Sequence, residues 1–165
     1  MHHTTHKSSA GNAFSVHYFL RPDHRDIADL WLASGGHMIN NIDADNGREW
    51  LFLHIENLHI SGAQTACAFN RQTGGLAGFV TIHPGDGSLD QIIVAQTDRG
   101  SGVAALLLDE AKTLASGAIE MRISEDNQRA MRFCEREGFR KTGLDASASG
   151  GARMWKMRWQ PGDAE

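Results

Sequence analysis

Disulfide-forming cysteines, long apolar runs and an excess of positive charge are all missing from this sequence of 165 residues. Its two cysteines, Cys67 and Cys134, favour a reduced cytoplasmic protein over a disulfide scaffold. No apolar run is long enough to span a bilayer, and the N-terminus lacks the apolar core of a signal peptide. The formal net charge of -4 disfavours nonspecific binding to nucleic acid. We therefore expect a cytoplasmic protein that binds neither nucleic acid nor a membrane.

Length and composition describe a single domain. The apolar (41%) and charged (22%) fractions are ordinary, and the chain is long enough for a substantial core. We assign residues 13–160 to one domain and residues 161–165 to a C-terminal tail. Residues 1–12 are polar and carry clustered histidines, but no cysteine or carboxylate joins these at ligand spacing. We interpret this segment as a disordered tail or an expression artefact. His54 and His59 also lack the i, i+4 spacing that puts two ligands on one helix face, so we expect no metal site.

Apolar periodicity predicts a mixed α/β (α+β) fold in which strands and helices follow one another. The helix after residue 102 has apolar residues at i, i+3 and i+4 spacing and places Glu110 mostly away from them, whereas the C-terminal strand alternates apolar and charged residues. The helix from Asn127 is predicted to bury Ala130, Phe133 and Cys134 and to end at Gly138 in a left-handed conformation. We predict a central sheet of about six or seven strands with helices on both faces. The predicted order is a strand at 15–20, helices at 23–33 and 48–58, strands at 64–70, 76–82 and 89–95, a helix from 103, a strand at 118–124, a helix from 127, and a last strand near 155–159.

The loop from Arg99 to Ala104 predicts a phosphate site. It joins a strand to an apolar helix and reads Arg99-Gly100-Ser101-Gly102-Val103-Ala104. Glycines remove side chains where a pyrophosphate must approach the backbone, and the first helical turn offers N–H groups without intrahelical partners. The helix dipole favours an anion there, and the arginine can bind a phosphate with two hydrogen bonds.

The same loop also fits a dinucleotide-binding fingerprint. Gly100, Gly102 and Ala105 satisfy G-x-G-x-x-A, and Glu120 lies at the expected distance for an acidic partner. Position in the chain argues against that hypothesis. Only roughly sixty residues follow the loop, too few for the remaining strands of a doubly wound domain.

Two motifs resemble the GNAT superfamily of N-acyltransferases. Arg99-x-x-Gly102-x-Ala104 is similar to its acyl-CoA loop, and Asn127 opens a helix that ends in Gly138-Phe139, like its second signature. The resemblance implies a mixed, largely antiparallel sheet and acetyl-CoA as cosubstrate. It also implies that the backbone N–H groups of the strand before the loop, including those of Ile93 and Val94, stabilise the thioester oxygen. Asn127 is implied to contact CoA, although N-capping alone would explain that residue.

Asp90 and Cys134 are the candidate catalytic residues. Leu89-Asp90-Gln91-Ile92 is similar to the aminoglycoside 6'-N-acetyltransferases, in which an aspartate at the matching place contacts the reacting amine. Asp90 could take a proton directly or through water, or it could be a charged residue on a partly exposed strand. Cys134 stands where the superfamily often has a Tyr that protonates the departing sulfur. The thiol could donate a proton, or it could be a small apolar core residue.

The acceptor is predicted to be a primary amine of a small cationic molecule or a peptide. In this superfamily the segment between the first two helices lines the acceptor cleft, and here the segment and the helix after it carry Asp43, Asp45, Glu49 and Glu56. Such charges would attract a cation. We therefore predict an acetyl-CoA-dependent N-acetyltransferase and leave a homodimer open. The alternatives are a non-catalytic acyl-CoA-binding or regulatory module and a dinucleotide-binding protein.

Overall fold

The computed structural model describes residues 13–18, 24–36, 42–145 and 153–162. The tail predicted for residues 1–12 lies outside these ranges, as do residues 163–165 of the C-terminal tail. The elements are β1 (Phe14–Tyr18), α1 (His24–Ala33), α2 (Ala44–Ile60), β2 (Gln64–Asn70), β3 (Leu76–His83), β4 (Ser88–Val94), α3 (Val103–Leu114), β5 (Ile119–Ser124), α4 (Gln128–Arg136), β6 (Arg140–Asp145) and β7 (Met154–Trp159). A 3-10 turn at Gln96–Asp98 precedes α3.

The described strands form one seven-stranded sheet in the order β1-β2-β3-β4-β5-β7-β6. Every neighbouring pair is antiparallel except β4 and β5, which are parallel. The predicted fold class, a mixed and largely antiparallel sheet, is therefore confirmed.

Helices cover both faces of the sheet, as predicted, and bury two separate apolar clusters. The first cluster joins the sheet to α3 and α4, with Leu107 and Met131 contributing from these helices. The second joins it to α1 and α2, where Trp31 and Ile55 pack with Phe79 of β3. The two clusters fix which side of the sheet each residue of β4 faces.

Several local predictions need correction. Helix α2 begins at Ala44 instead of 48, because the carboxylate of Asp43 caps it by accepting the N–H of Asn46 at 3.1 Å. Glu110, predicted to point away from the core, is buried and accepts a hydrogen bond from the Tyr18 hydroxyl. A buried carboxylate needs such a partner, and burial together with this contact raises the pKa of Tyr18.

Helix α4 also differs in detail from its prediction. Of the three residues predicted to be buried, Cys134 is buried, whereas Ala130 and Phe133 are half-buried. Met131 is the other buried side chain of this helix. Gly138 has a φ of 97°, which confirms the left-handed conformation predicted at the end of α4.

Strands β4 and β5 are joined only at their beginnings. Ser88 pairs with Glu120, and the Glu120 N–H donates to the Gly87 carbonyl at 2.9 Å. No further residue of β4 pairs with β5 along the described strands. The two strands therefore separate beyond this point and leave an opening within the sheet.

Candidate active site

A cleft of about 1670 Å³ occupies the opening between β4 and β5. Both strands line it, together with the loop after β4, the start of α3 and one side of α4. From the other face of the sheet, α1 and α2 contribute Trp31, Trp50 and His54. The cleft thus brings together residues from both halves of the chain.

The predicted phosphate loop forms part of the cleft wall. Gly100 and Gly102 have φ values of 81° and 91°, a left-handed conformation that glycine adopts without strain. Gly102 occupies the N-cap position of α3 and supplies no side-chain cap, so the first-turn N–H groups are available to an anion. Arg99 is exposed, and it lines the cleft beside Val103 and Ala104.

Ser101 differs from the rest of the predicted loop residues. Its hydroxyl donates to the Asp98 carbonyl, and it does not belong to the cleft lining. This hydrogen bond stabilises the turn that contains the two glycines. Ile93, Val94 and Asn127, the other predicted cofactor residues, do line the cleft. Asn127 caps α4 by accepting the Ala130 N–H at 3.2 Å, as predicted from the sequence.

Asp90 lies at a β-bulge of β4. Thr81 of β3 pairs with Gln91 and the next residue pairs with Leu89, so Asp90 is the extra residue without a partner. Leu89 and Ile92 both pack in the first apolar cluster although they are three residues apart. Regular alternation would place Asp90 on the same face as Ile92, whereas the bulge directs it to the α2 face.

The partner of Asp90 on that face is His54. The imidazole Nε2 lies 3.1 Å and 3.2 Å from the two carboxylate oxygens of Asp90. This hydrogen bond is the main cause of a raised pKa for His54, and burial opposes the increase. The side chains are 30% and 27% exposed, so both are accessible from the cleft.

An aromatic stack holds His54 in place. The His54 ring stacks on Trp50 with centroids 4.7 Å apart, and Trp50 stacks on the buried Trp31 at 5.4 Å. The histidine spacing in the sequence bears only on metal binding and does not predict this role for His54. The spacing of Trp50 and His54, i and i+4 on one helix, was the available signal.

Cys134 has the environment of a core residue. It is 2% exposed, and its sulfur lies 3.8 Å from the Met121 sulfur. Burial raises the pKa of the Cys134 thiol to about 12. This geometry favours the apolar alternative over a proton donor. The only tyrosine, Tyr18, lies on β1 and is bonded to Glu110, so it does not replace the missing group.

The four acidic residues predicted to line the acceptor cleft do not belong to its lining. Asp43 caps α2, and Asp45 and Glu49 are exposed. Burial lowers the pKa of His59, and the charge of Glu56 partly opposes this effect. The acidic cleft residues are instead Asp86, Asp90, Asp98, Glu120 and Glu137.

Within the residues that the structure describes, no three His, Cys, Asp or Glu side chains are grouped to hold a metal ion. None of the helices in the described ranges is both long and apolar enough to cross a membrane.

Solved structures share this fold. A nourseothricin acetyltransferase is 28% identical over 60% of this chain and 65% of its own, with a TM-score of 0.54. A GNAT-family protein from Desulfovibrio desulfuricans is 20% identical over 90% and 99%, with a TM-score of 0.69. The spermidine/spermine N-acetyltransferase from Vibrio cholerae is 20% identical over 92% and 94%, with a TM-score of 0.65.

No curated protein matches the sequence. The profile of the GNAT acetyltransferase domain, however, matches residues 55–161. This range contains the loop at Arg99 and the helix from Asn127, so the resemblance and the enzyme class that it implied are confirmed. Because the match covers more than half of the 165 residues, the chain belongs to the GNAT family of acetyltransferases.

Proposed function

We propose that this protein transfers an acetyl group from acetyl-CoA to a primary amine of a small cationic molecule or a peptide in the cytoplasm. One observation carries the proposal: a single cleft contains an uncapped helix start with two left-handed glycines and a carboxylate paired with an imidazole. The first suits a pyrophosphate and the second suits proton transfer from an amine. Two free cysteines, both buried, are compatible with a reducing compartment.

The residues at the loop fit CoA. Arg99 would bind a phosphate oxygen, and the N–H groups from Val103 onward would receive the pyrophosphate at the start of α3. Arg129, Arg132 and Arg136 of α4 also line the cleft and add positive charge beside the loop. The bound acetyl-CoA would supply the thioester carbonyl that is attacked.

Strand β4 supports the placement of that carbonyl. Because β5 pairs with β4 only at Ser88, the β4 backbone groups directed towards β5 beyond that residue have no ladder partner. Of the predicted donors in this stretch, Val94 precedes Ala95, whose N–H donates to the Ala77 carbonyl of β3 at 2.7 Å, so by alternation the Val94 N–H is directed towards β5 and the Ile93 N–H towards β3. An N–H group fixed by the sheet stabilises the negative charge that develops on the carbonyl oxygen during attack.

The acceptor amine must be neutral to attack, and we assign its orientation or deprotonation to Asp90. A cationic acceptor fits a cleft in which this carboxylate is accessible. The polyamines acetylated by the Vibrio cholerae relative, which shares the fold, have this charge. They therefore support a cationic amine as the substrate class.

Release of free thiol from acetyl-CoA tests the proposal. Purified protein is screened against polyamines, aminosugars and peptides with free N-termini, and CoA appearance is measured with a thiol reagent. Calorimetric titration with acetyl-CoA, CoA and NAD runs in parallel. Turnover with one amine class and binding of acetyl-CoA but not NAD are expected.

The missing tyrosine near Cys134 gives the second candidate, a non-catalytic acyl-CoA-binding module. Binding of acetyl-CoA without thiol release from any amine would favour that module. Binding of NAD in preference to CoA would overturn both candidate functions and favour the hypothesis that the loop binds a dinucleotide.

A further inference from the structure

We propose that His54, paired with Asp90 and stacked on Trp50, is the side chain that accepts the proton of the acceptor amine. Asp90 then holds the imidazole in position and stabilises its charged form. The inference rests on the proposed acetyl transfer, but it moves the proton-accepting role from Asp90 to His54 and leaves Asp90 as the residue that positions the imidazole. It extends the site across the sheet to a residue of α2, outside both sequence motifs.

The hydrogen bond decides which nitrogen is available. Nε2 faces both oxygens of Asp90, at 3.1 Å and 3.2 Å, and a carboxylate only accepts, so Nε2 carries a proton. In the neutral imidazole the lone pair is therefore on Nδ1. The His54 ring lines the cleft, so an amine bound in the cleft can approach it.

The packing of the His54 ring also favours the imidazole as the proton acceptor. His54 is in face-to-face contact with Trp50 at an interplanar angle of 16°, and Trp50 rests on Trp31, which is 1% exposed. The stack on Trp50 and the hydrogen bond to Asp90 both oppose rotation of the ring away from β4. A fixed acceptor contributes to rate because little reorganisation is required at the moment of transfer.

Among the described residues, one ionisable group, Asp90, contributes to the raised pKa of His54. Helix α1 presents Trp31, helix α2 presents Trp50, and β4 presents Asp90 as the only ionisable group that shifts the pKa of His54. The ion pair between α1 and α2, Asp29 with Arg48, is satisfied within itself. The protonation of His54 is thus controlled by Asp90 and by burial.

The proton transfers balance in two steps. An N–H bond of the acceptor ammonium breaks and an Nδ1–H bond forms, giving an imidazolium held by the carboxylate of Asp90. The neutral amine attacks the thioester carbon, and the C–S bond breaks as its electrons return to sulfur. The remaining ammonium proton of the tetrahedral species goes to the departing thiolate. The products are the acetamide, CoA thiol and one proton, which His54 releases to solvent.

The test compares His54→Gln with wild type in thiol release over a range of pH. Glutamine keeps an N–H group for Asp90 and removes the titrating nitrogen. We expect kcat/KM for the amine to fall by about a hundredfold or more, the usual contribution of a general base. The acidic limb attributable to the imidazole should disappear, while acetyl-CoA affinity measured by calorimetry stays unchanged. His17→Gln, an exposed histidine on β1 outside the cleft lining, is the matched control and should retain the wild-type profile.

Two measurements separate catalysis from a structural tie between α2 and β4. Imidazole added to His54→Ala should restore part of the lost rate, which a structural role would not allow. The double variant with Asp90→Asn should lose about as much as the worse single variant, because the residues act as a unit.

Wild-type activity with an unchanged acidic limb in a folded His54→Gln protein would overturn this inference and leave the acetyltransferase intact. Wild-type protein that binds acetyl-CoA but acetylates no amine would overturn the proposed function, and this inference with it.

Discussion

Gly87→Ala should lower the free energy of unfolding and weaken CoA binding in the cleft, because Gly87 lies where β4 and β5 meet. Its φ is 78°, and an added Cβ would lie 1.8 Å from the Ala118 carbonyl oxygen, a backbone atom that cannot rotate away. The left-handed conformation costs roughly 1–2 kcal/mol for a residue other than glycine. Moving Ala118 would also break the bond between the Glu120 N–H and the Gly87 carbonyl, which is worth about 0.5–1.5 kcal/mol. We expect a total loss of about 1.5–3.5 kcal/mol.

Gly74→Ala is the control for this substitution. Gly74 has a nearly equal φ of 75°, but an added Cβ would meet nothing within 4 Å. Urea unfolding should therefore show a loss of roughly 1–2 kcal/mol for the control and a clearly larger one for Gly87→Ala. Calorimetry should show weaker CoA binding for Gly87→Ala alone. Equal losses of stability in the two variants would refute the argument that the contact with Ala118 closes this end of the cleft.

Three further predictions concern the site. Arg99→Ala should weaken CoA binding by roughly 1–3 kcal/mol in calorimetry, and a penalty that stays equal with phosphate-truncated analogues would point to a structural role instead. Cys134→Ser should leave kcat within a few-fold, since burial raises the thiol pKa to about 12; a large loss of kcat at unchanged Tm would contradict this. Because the folded pKa of His54 is raised above 6.5, its ion pair stabilises the protein fully below pH 6.5 and is lost as pH rises through the folded value. The stability difference between wild type and Asp90→Asn should shrink over that range in urea unfolding, and a difference that grows would contradict the assignment.

The phosphate loop could be predicted from the sequence because its determinants are local. Glycines with positive φ, a helix start without a side-chain cap and an adjacent arginine all lie within six consecutive residues. The helix from Asn127 to Gly138 was similarly readable, since its cap and its left-handed end are each set by one residue. Such features need no knowledge of which strands are neighbours.

The acidic residues near α2 show where local reasoning failed. Composition identified a cluster of negative charge but not the direction of its side chains. Asp43 is used to cap the helix, and Asp45 and Glu49 face solvent. Glu110 shows the opposite error: helical periodicity placed it on the polar side, but Tyr18 from β1 supplies a partner that allows it to be buried. Both outcomes depend on residues distant in sequence.

The pairing of Asp90 with His54 depends on core packing. Leu89 and Ile92 must both reach the first apolar cluster, which a regular strand forbids for residues three apart. The β-bulge resolves this conflict by adding one residue to β4, and that residue is Asp90. The carboxylate is thereby turned towards α2, where the stack on Trp50 has already fixed the position of His54. A pattern of strict alternation would have placed Asp90 against α3 and α4, so the packing of Leu89 and Ile92 determines which helix completes the candidate site.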